Sequence, residues 1–388
     1  MKLCINAVRI LAALTTLSGI LFLISCTSSG LAIKSSGDIT RKVINENNNK
    51  ISKIYALQTG VTRVPFGQFF GGLDGWVGMN GIIKMATDKS HYMWVPVHSF
   101  LIIHPKEGAI LFDAGLSVAQ TKEGYYSGLV PFTEEENRVS TEQELLNQLQ
   151  KLGYGANDIN HIIVSHLHED HIGELKSFPN ATVHISKMAW EDRNRVISGL
   201  GPYDIPVYYK PTFNTVRKWS FFDYDSGSFY SFKKSTDLFG DGSIMVVPTP
   251  GHATGHSGAV LSFDDYKIYL AGDSIYTLRH LDPNSLSSFQ FSETDFVTYK
   301  STIKKISRLQ KRLADLIIIP SHDPFDYTFK YLHSFLSDGV ITTAERTQLK
   351  DYHNSLYDES GRLKPQAIPK YVSSSKIGEL GKAVAEIQ

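Results

Sequence analysis

Cysteine is nearly absent from this chain of 388 residues, and the two that occur, Cys4 and Cys26, lie close to the N-terminus. Residues 27–388 can therefore form no disulfide bond and offer no thiolate to a metal ion. That part of the chain must be stabilised by a hydrophobic core, and a composition of 42% hydrophobic residues is sufficient to build one. The composition is that of a folded globular protein.

An excess of either charge is also missing, since 39 Lys and Arg residues balance 39 Asp and Glu residues. A neutral chain has no overall electric field that would attract nucleic acid or an anionic membrane. We therefore expect no nucleic-acid partner, and any attachment to a membrane requires a dedicated segment.

The N-terminal residues have the features of such a segment. Lys2 and Arg9 precede a mostly apolar run of 14 residues, Ile10–Leu23. This run is too short for a comfortable membrane span of about 20 residues and is typical of a secretory signal. It ends in Leu23-Ile-Ser-Cys26, which resembles the lipobox of bacterial lipoproteins. That resemblance implies cleavage before Cys26 and lipidation of its thiol; the alternative is a plain N-terminal anchor with an incidental cysteine.

The lipoprotein interpretation divides the chain into segments. Residues 1–26 are predicted to be a lipoprotein signal peptide. Residues 27–50, rich in Ser, Asn and Lys, are predicted to be a flexible tether. We expect a protein that is exported and lipid-anchored to the cell envelope through Cys26, at the outer membrane or the periplasmic face. The folded domain is predicted over residues 51–336, followed by a C-terminal extension over 337–388 that opens with a helix near Thr342.

Strand and helix patterns alternate along the folded domain. Apolar runs at His98–His104 and Ala109–Phe112 are joined by Pro105-Lys-Glu-Gly108, which predicts a β-hairpin. Thr141-Glu-Gln-Glu144 predicts a capping box at the start of an amphipathic helix. Further short apolar runs predict buried strands with helices between them. The mixture indicates a layered α/β fold.

One short segment, Ser165-His-Leu-His-Glu-Asp-His171, places four metal-ligand side chains within six residues. Imidazole suits zinc, and carboxylate also accepts harder ions. Four donors so close in sequence cannot all face one ion without strain, so division between two ions is easier. Three later donors each follow a predicted strand and can complete two coordination spheres: His252, Asp273 and His322.

The order HxHxDH, followed by His, Asp and His, resembles the metallo-β-lactamase superfamily. Within it, the chain most resembles N-acyl-homoserine lactonases. The likeness extends over roughly Ile54–Tyr331 and includes Leu111-Phe-Asp-Ala-Gly115 and Gly272-Asp-Ser-Ile-Tyr276. It implies an αββα sandwich, in which two β-sheets are flanked by helices, and it makes residues 51–336 a hydrolase domain.

The resemblance also implies two divalent metal ions, with zinc the expected metal, and a division of the ligands between them. Asp113, at a predicted strand end, is expected to orient the ligand loop from behind. The first ion is assigned to His166, His168 and His252, the second to Asp170, His171 and His322, and Asp273 is assigned to bridge both.

For function, the resemblance implies that a small-molecule lactone or ester is the substrate, and that a metal-bridging hydroxide opens an N-acyl-homoserine lactone-like ring. Tyr276 is expected to donate to the substrate carbonyl, although it also fits an ordinary half-buried aromatic residue. Asp170 is a second candidate catalytic residue besides being a ligand. Two alternatives stay open: an ester or thioester hydrolase of the glyoxalase II type, and a metal-binding lipoprotein without turnover.

Two further features allow more than one interpretation. His256, four residues after His252, is expected to be structural rather than a ligand. Residues 203–232 contain 11 aromatic residues, which fits a surface insertion packed on itself or one wall of an acyl pocket. The opposite wall would then come from Phe66, Phe69, Phe70 and Trp76.

Overall fold

The computed structural model describes residues 50–65, 92–122, 125, 137–198, 210–282 and 296–367. In this part of the chain the strands form two sheets. The first sheet contains β1 Lys53–Pro65, β2 Tyr92–His104, β3 Gly108–Phe112, β4 Asn137–Arg138, β5 Ile159–Ile163, β6 Thr182–Ser186 and β7 Lys218–Phe222. The second contains β8 Thr236–Asp237, β9 Ile244–Pro248, β10 Ser257–Ser262, β11 Lys267–Leu270 and β12 Leu316–Ile319. The spatial orders of the strands are β4-β1-β2-β3-β5-β6-β7 and β12-β11-β10-β9-β8. The α-helices are α1 Leu145–Lys151, α2 Glu169–Ile172, α3 Lys187–Ser198, α4 Lys210–Asn214, α5 Phe296–Arg312, α6 His333–Phe335 and α7 Thr343–Leu356.

Alternation along the strands explains the layers. In β2, Phe100 and Ile102 belong to the core cluster that also contains the second sheet, whereas Leu101 between them packs in a separate cluster with Leu145 and Leu149 of α1. Successive side chains of a strand point to opposite faces. One face of the first sheet is therefore buried by the second sheet, and its other face is buried by helices.

Helix α5 covers the second sheet in the same manner. Its buried residues recur at the spacing of one helical face and join the cluster that contains β9 to β12. These residues are Tyr299, Ile303, Ile306 and Leu309. With helices outside both sheets, the described residues confirm the predicted αββα sandwich.

Residues after α6 also pack on the second sheet. Leu349 and Leu356 of α7 are buried in the core cluster that contains β12. The N-terminus of α7 is capped as expected, because Thr342 Oγ1 accepts the Glu345 N–H at 3.3 Å and Glu345 accepts the Thr342 N–H at 2.8 Å. The core cluster contains Leu336 and also side chains beyond residue 337, where the hydrolase domain was predicted to end. The position of that domain boundary stays a prediction.

The loops that carry the predicted ligands leave one edge of the sandwich. Strands β3 and β5 are parallel neighbours, and so are β11 and β12. Strand β9 runs in the direction of β11, because both are antiparallel to β10. The carboxyl ends of strands that share a direction meet at one edge. The loops after these strands contain Asp113, residues 165–171, His252, Asp273 and His322.

Part of the aromatic-rich segment belongs to the sandwich itself. Trp219 and Phe222 lie in β7, at the edge of the first sheet, and Phe229 and Phe232 are buried in the main core cluster. Of the two interpretations of this segment, a surface insertion does not describe Phe229 and Phe232, which are core residues, whereas Phe221 and Tyr230 are exposed. Residues 201–209 and the four aromatic residues expected at the opposite wall lie outside the described residues.

The predicted signal peptide, residues 1–26, and the tether up to residue 49 also lie outside the described residues. Among the helices of the described ranges, none combines the length and the apolar character needed to cross a membrane.

Close packing around Gly251 generates a first prediction. A Cβ atom at Gly251, whose φ is +131°, would lie 2.5 Å from the backbone nitrogen of Tyr299 in α5. We expect Gly251→Ala to lower the free energy of unfolding by about 2–6 kcal/mol, from backbone strain and overpacking of about 1–3 kcal/mol each. The control is Gly361→Ala, where φ is +78° but no atom lies within 4 Å, so only the strain is added. Chemical denaturation of both variants measures this, and equal losses would contradict the close approach of α5.

Candidate metal centre

The first group of donors lies where the loops after β5, β9 and β11 meet. One ligand atom from each of four side chains falls within 4.8 Å of all the others, and these residues are His166, His168, His252 and Asp273. His252 Nε2 lies 3.1 Å from His166 Nε2 and 3.0 Å from His168 Nδ1. Three imidazole nitrogens that converge in this way surround a point suited to one cation.

The second group is formed by Asp170, His171 and His322, whose ligand atoms also lie within 4.8 Å of one another. Asp170 Oδ2 is 3.4 Å from His322 Nε2, and Asp170 Oδ1 is 3.7 Å from His171 Nε2. His171 Nε2 is buried and makes no hydrogen bond to any described residue. A buried nitrogen without a hydrogen bond is costly unless a ligand occupies the space in front of it, so the geometry fits a bound cation.

Asp273 lies between the two groups and turns one oxygen toward each. Its Oδ2 is 3.2 Å from His252 Nε2 and 3.8 Å from His166 Nε2. Its Oδ1 is 3.2 Å from both His171 Nε2 and His322 Nε2. A carboxylate in this position can bridge two ions, which is the arrangement that the sequence predicts.

His171 and His322 are each held through the outer ring nitrogen. His171 Nδ1 lies 2.8 Å from Asp113 Oδ2, and His322 Nδ1 lies 2.8 Å from the Pro96 carbonyl oxygen. Because a carbonyl oxygen only accepts, His322 Nδ1 must donate, which leaves the lone pair of Nε2 directed into the centre. The contacts behind the ligands therefore select the tautomer that binds a metal.

Asp113 organises the ligand loop at the end of β3, where the sequence analysis placed it. Its φ of +59° is uncommon for a residue other than glycine. Its Oδ1 accepts the Ser165 N–H at 2.7 Å, while Oδ2 accepts from His171. One side chain thus fixes both the start of the histidine segment and one of its ligands.

His256 acts on Asp273 and is not a member of either donor group. Its Nε2 accepts the Asp273 N–H at 2.9 Å, and its Nδ1 lies 2.7 Å from Thr249 Oγ1. A Cβ at Gly272 would lie 2.8 Å from His256 Nε2, and φ is +50° there, so the glycine before Asp273 permits this contact. The expected structural role of His256 agrees with this position.

Sequence reasoning missed several contacts to Asp273. Ser321 Oγ donates to Asp273 Oδ1 at 2.5 Å, and the hydroxyl of Tyr299 donates to the Asp273 carbonyl at 3.0 Å. Ser321 precedes the ligand His322, which is a weak signal. Tyr299 gives no signal, because its spacing on α5 is that of a core residue.

Tyr276 lies behind the first donor group. Its side chain is buried, and its hydroxyl is 2.9 Å from His252 Nδ1. With Nε2 of His252 directed into the centre, Nδ1 carries the proton and donates to the tyrosine oxygen. The expected contact between Tyr276 and substrate stays a prediction.

The charges of the centre favour a cation. Burial lowers the pKa of His166 and His252 well below the ordinary imidazole value, so both are neutral ligands. Burial would also raise the pKa of Asp273, but the neighbouring His322 and His171 outweigh it and hold that pKa well below its ordinary range.

The carboxylates of the centre favour positive charge on the second donor group. Burial alone would lower the pKa of His171, but the carboxylates of Asp273 and Asp170 outweigh it and raise that pKa well above its usual value. Burial likewise opposes charge on His322, whereas Asp273 raises its pKa. The carboxylates therefore require positive charge on this side, and a divalent ion would replace the protons.

Two sheets flanked by helices, with groups of His and Asp donors at one edge, define a two-sheet protein with a candidate metal centre. Residues 92–322 match the sequence profile described as the metallo-beta-lactamase superfamily. The match covers more than half of the chain, and the chain belongs to this superfamily.

Several relatives of the chain are lactonases. The N-acyl homoserine lactonase AttM of Rhizobium radiobacter is 30% identical over 251 residues, which cover 62% of this chain and 87% of the relative. The AttM of Rhizobium johnstonii is 27% identical over 265 residues, covering 66% and 92%.

Solved structures of N-acyl homoserine lactone hydrolases share the fold. One of them, with the product N-hexanoyl-L-homoserine at its catalytic metal centre, superimposes with a TM-score of 0.53 at 22% identity. The match covers 71% of this chain and 94% of that chain. A second, described as quorum-quenching, gives a TM-score of 0.53 at 20% identity, covering 71% and 93%. At these identities the structures support the αββα sandwich alone.

The two donor groups generate a prediction about metal content. We expect His168→Ala to weaken the binding of one ion and Asp170→Ala to weaken the binding of the other, because each residue belongs to a single donor group. Asp273→Ala should weaken the binding of both ions. Elemental analysis after dialysis against a weak chelator should find close to two ions in the unaltered protein, about one in each single-group variant and fewer in Asp273→Ala. Retention of both ions by Asp273→Ala would contradict the shared carboxylate.

Proposed function

We propose that this protein hydrolyses lactones of the N-acyl-homoserine lactone type by using two divalent metal ions, expected to be zinc. The observation that carries the proposal is the carboxylate of Asp273, which turns one oxygen toward each donor group at 3.2 Å. The similarity to lactonases of Rhizobium radiobacter and Rhizobium johnstonii supports the choice of substrate.

The chemistry depends on both the ions and the chain. Two divalent ions, when bound, supply Lewis acidity toward a carbonyl group and a hydroxide at neutral pH. Asp170 is more accessible than Asp273, because its side chain is 22% exposed whereas that of Asp273 is 5% exposed. Asp170 therefore faces the accessible side of the centre, where it can deliver a proton to the ring oxygen as the ester bond breaks.

Tyr276 has a different part in the proposal. Its oxygen accepts from His252 Nδ1, and this contact fixes the position of the hydroxyl group. A donor beside the first donor group can stabilise negative charge on the oxygen of a substrate carbonyl. In this proposal Tyr276 orients the ligand His252 and also donates a hydrogen bond to the substrate carbonyl.

A substrate panel tests the proposed reaction. The zinc-loaded protein is assayed with N-hexanoyl-homoserine lactone, an aryl ester and S-lactoylglutathione. We expect the highest kcat/KM for the lactone. A preference for the thioester would replace the proposal with the glyoxalase II type, and a protein that holds two ions but turns over none of the three would favour the non-catalytic alternative.

The contribution of Tyr276 has its own test. We expect Tyr276→Phe to lower lactone turnover by roughly 10- to 100-fold with zinc in excess, less than for a sole oxyanion donor because a metal shares this role. Tyr327→Phe is the matched control, since the Tyr327 hydroxyl is also buried but donates to the Ile318 carbonyl, away from the centre. Wild-type turnover in Tyr276→Phe would show that the tyrosine is structural.

We also propose that Cys26 attaches the protein to the cell envelope, on the basis of the Leu23-Ile-Ser-Cys26 sequence. Cys26→Ser should remove the lipid and release the protein into the soluble fraction without changing lactone turnover. Cys4→Ser is the control, because Cys4 lies within the segment that cleavage would remove. Membrane fractionation measures both variants, and a Cys26→Ser protein that stays in the membrane pellet would refute lipidation.

A further inference from the structure

Two histidines outside the donor groups, the buried His98 and the half-buried His333, lie behind the second donor group. His98 of β2 is 4% exposed, and its Nδ1 lies 3.1 Å from the carbonyl oxygen of Ser321. Its Nε2 lies 2.9 Å from Nε2 of His333, at the start of α6. Neither histidine had a place in the ligand pattern of the sequence.

The direction of each hydrogen bond in this pair is determined. Burial lowers the pKa of His98 to about 3 and that of His333 to about 4, so both rings are neutral at neutral pH. The Ser321 carbonyl can only accept, so His98 Nδ1 carries the proton. His98 Nε2 therefore accepts, and His333 Nε2 donates to it.

A second bond runs in the opposite direction between the same two segments. His322 Nδ1 donates to the Pro96 carbonyl at 2.8 Å, while His98 Nδ1 donates to the Ser321 carbonyl. Strand β2 and the loop after β12 are thus joined by two reciprocal imidazole–carbonyl bonds. The loop also reaches the shared carboxylate, because Ser321 Oγ donates to Asp273.

We propose that His98 and His333 are positioning residues for the second metal ion. They hold the backbone of Ser321, so that His322 and the Asp273 oxygen facing it are in place before the ion binds. A ligand already held in its bound position loses less conformational freedom on binding. Partners behind the ligands change metal affinity for this reason. The inference rests on the metal-binding part of the proposed function and not on the choice of substrate.

His333 lies outside the part of the chain that matches the superfamily profile. That match ends at residue 322. The segment that contains α6 therefore supplies a support for the metal centre from outside the matched region.

The test compares His98→Phe with His98→Asn. Phenylalanine fills the space but cannot donate, whereas the side-chain amide of asparagine can replace Nδ1 as donor to the Ser321 carbonyl. Zinc affinity is measured by competition with a chromophoric chelator, which resolves two binding steps without an activity assay. We expect His98→Phe to weaken one of the two steps by about 10- to 100-fold and to leave the other unchanged, with most of the loss restored in His98→Asn.

A second pair of variants covers a failure of His98→Phe to fold. His333→Phe leaves the His98–Ser321 bond in place but removes its support, and a smaller loss at the same step is expected. His333→Gln should restore that affinity, because the glutamine amide can donate where Nε2 did. The control is His353→Phe in α7. The imidazole of His353 is half-buried and hydrogen-bonded to Gln310, away from the metal centre, so both steps should be unchanged.

The outcomes separate this inference from the proposed function. If the unaltered protein binds two ions and the Phe variants match it in both steps, the two histidines serve packing only and the inference is overturned. If the unaltered protein binds two ions but does not hydrolyse lactones, the substrate proposal fails, while a selective loss in His98→Phe still supports positioning. A protein that binds only one ion contradicts both.

Discussion

The carboxylate of Asp273 is the group on which the metal centre depends. It is buried between imidazoles on both sides, and a charge in such a place is tolerated only when it is matched. The neighbouring His322 and His171 outweigh the effect of burial and keep its pKa well below the usual range. Positive charge, from bound metal ions or from protons on the neighbouring imidazoles, balances the negative charge of this carboxylate.

The fold meets this requirement by fixing the backbone of the ligand loops. His256 and Tyr299 hold the backbone of Asp273. His256 accepts the Asp273 N–H, and the hydroxyl of Tyr299 donates to the Asp273 carbonyl. Gly251 lets α5 approach the loop that carries His252, and Asp113 fixes the start of the histidine segment. Each of these contacts is made by a residue that precedes or follows a strand, or by a helix packed on one. The rigidity of the sandwich is thereby transferred to the donors.

The residue types and spacing of the ligands made the site predictable from the sequence. Donors that follow short apolar runs lie at strand ends, so His252, Asp273 and His322 could be associated with the histidine segment from their positions. The division of the ligands between two ions followed from the family resemblance. The hairpin of β2 and β3 and the start of α7 were predictable for similar local reasons. Local signals were less accurate at α1, where the predicted capping box at Thr141 is wrong. Gln143 instead accepts the Ser140 N–H in a 3₁₀ turn, and the helix begins at Leu145.

The supporting contacts could not be predicted, because they join segments far apart in the chain through single hydrogen bonds. His98, Tyr299 and His333 have the spacing of ordinary core or helix residues, and only the three-dimensional arrangement shows what they touch. The aromatic residues of 218–232 were ambiguous for the same reason, since a pocket wall and a sheet edge require the same composition.

The most direct test of this account is an anomalous diffraction map from crystals of the zinc-loaded protein, collected at the zinc absorption edge. The account predicts two peaks, one beside each oxygen of Asp273, with His166, His168 and His252 around the first and Asp170, His171 and His322 around the second. A single peak, or two peaks of which only one contacts Asp273, would contradict the shared carboxylate on which the proposed function depends.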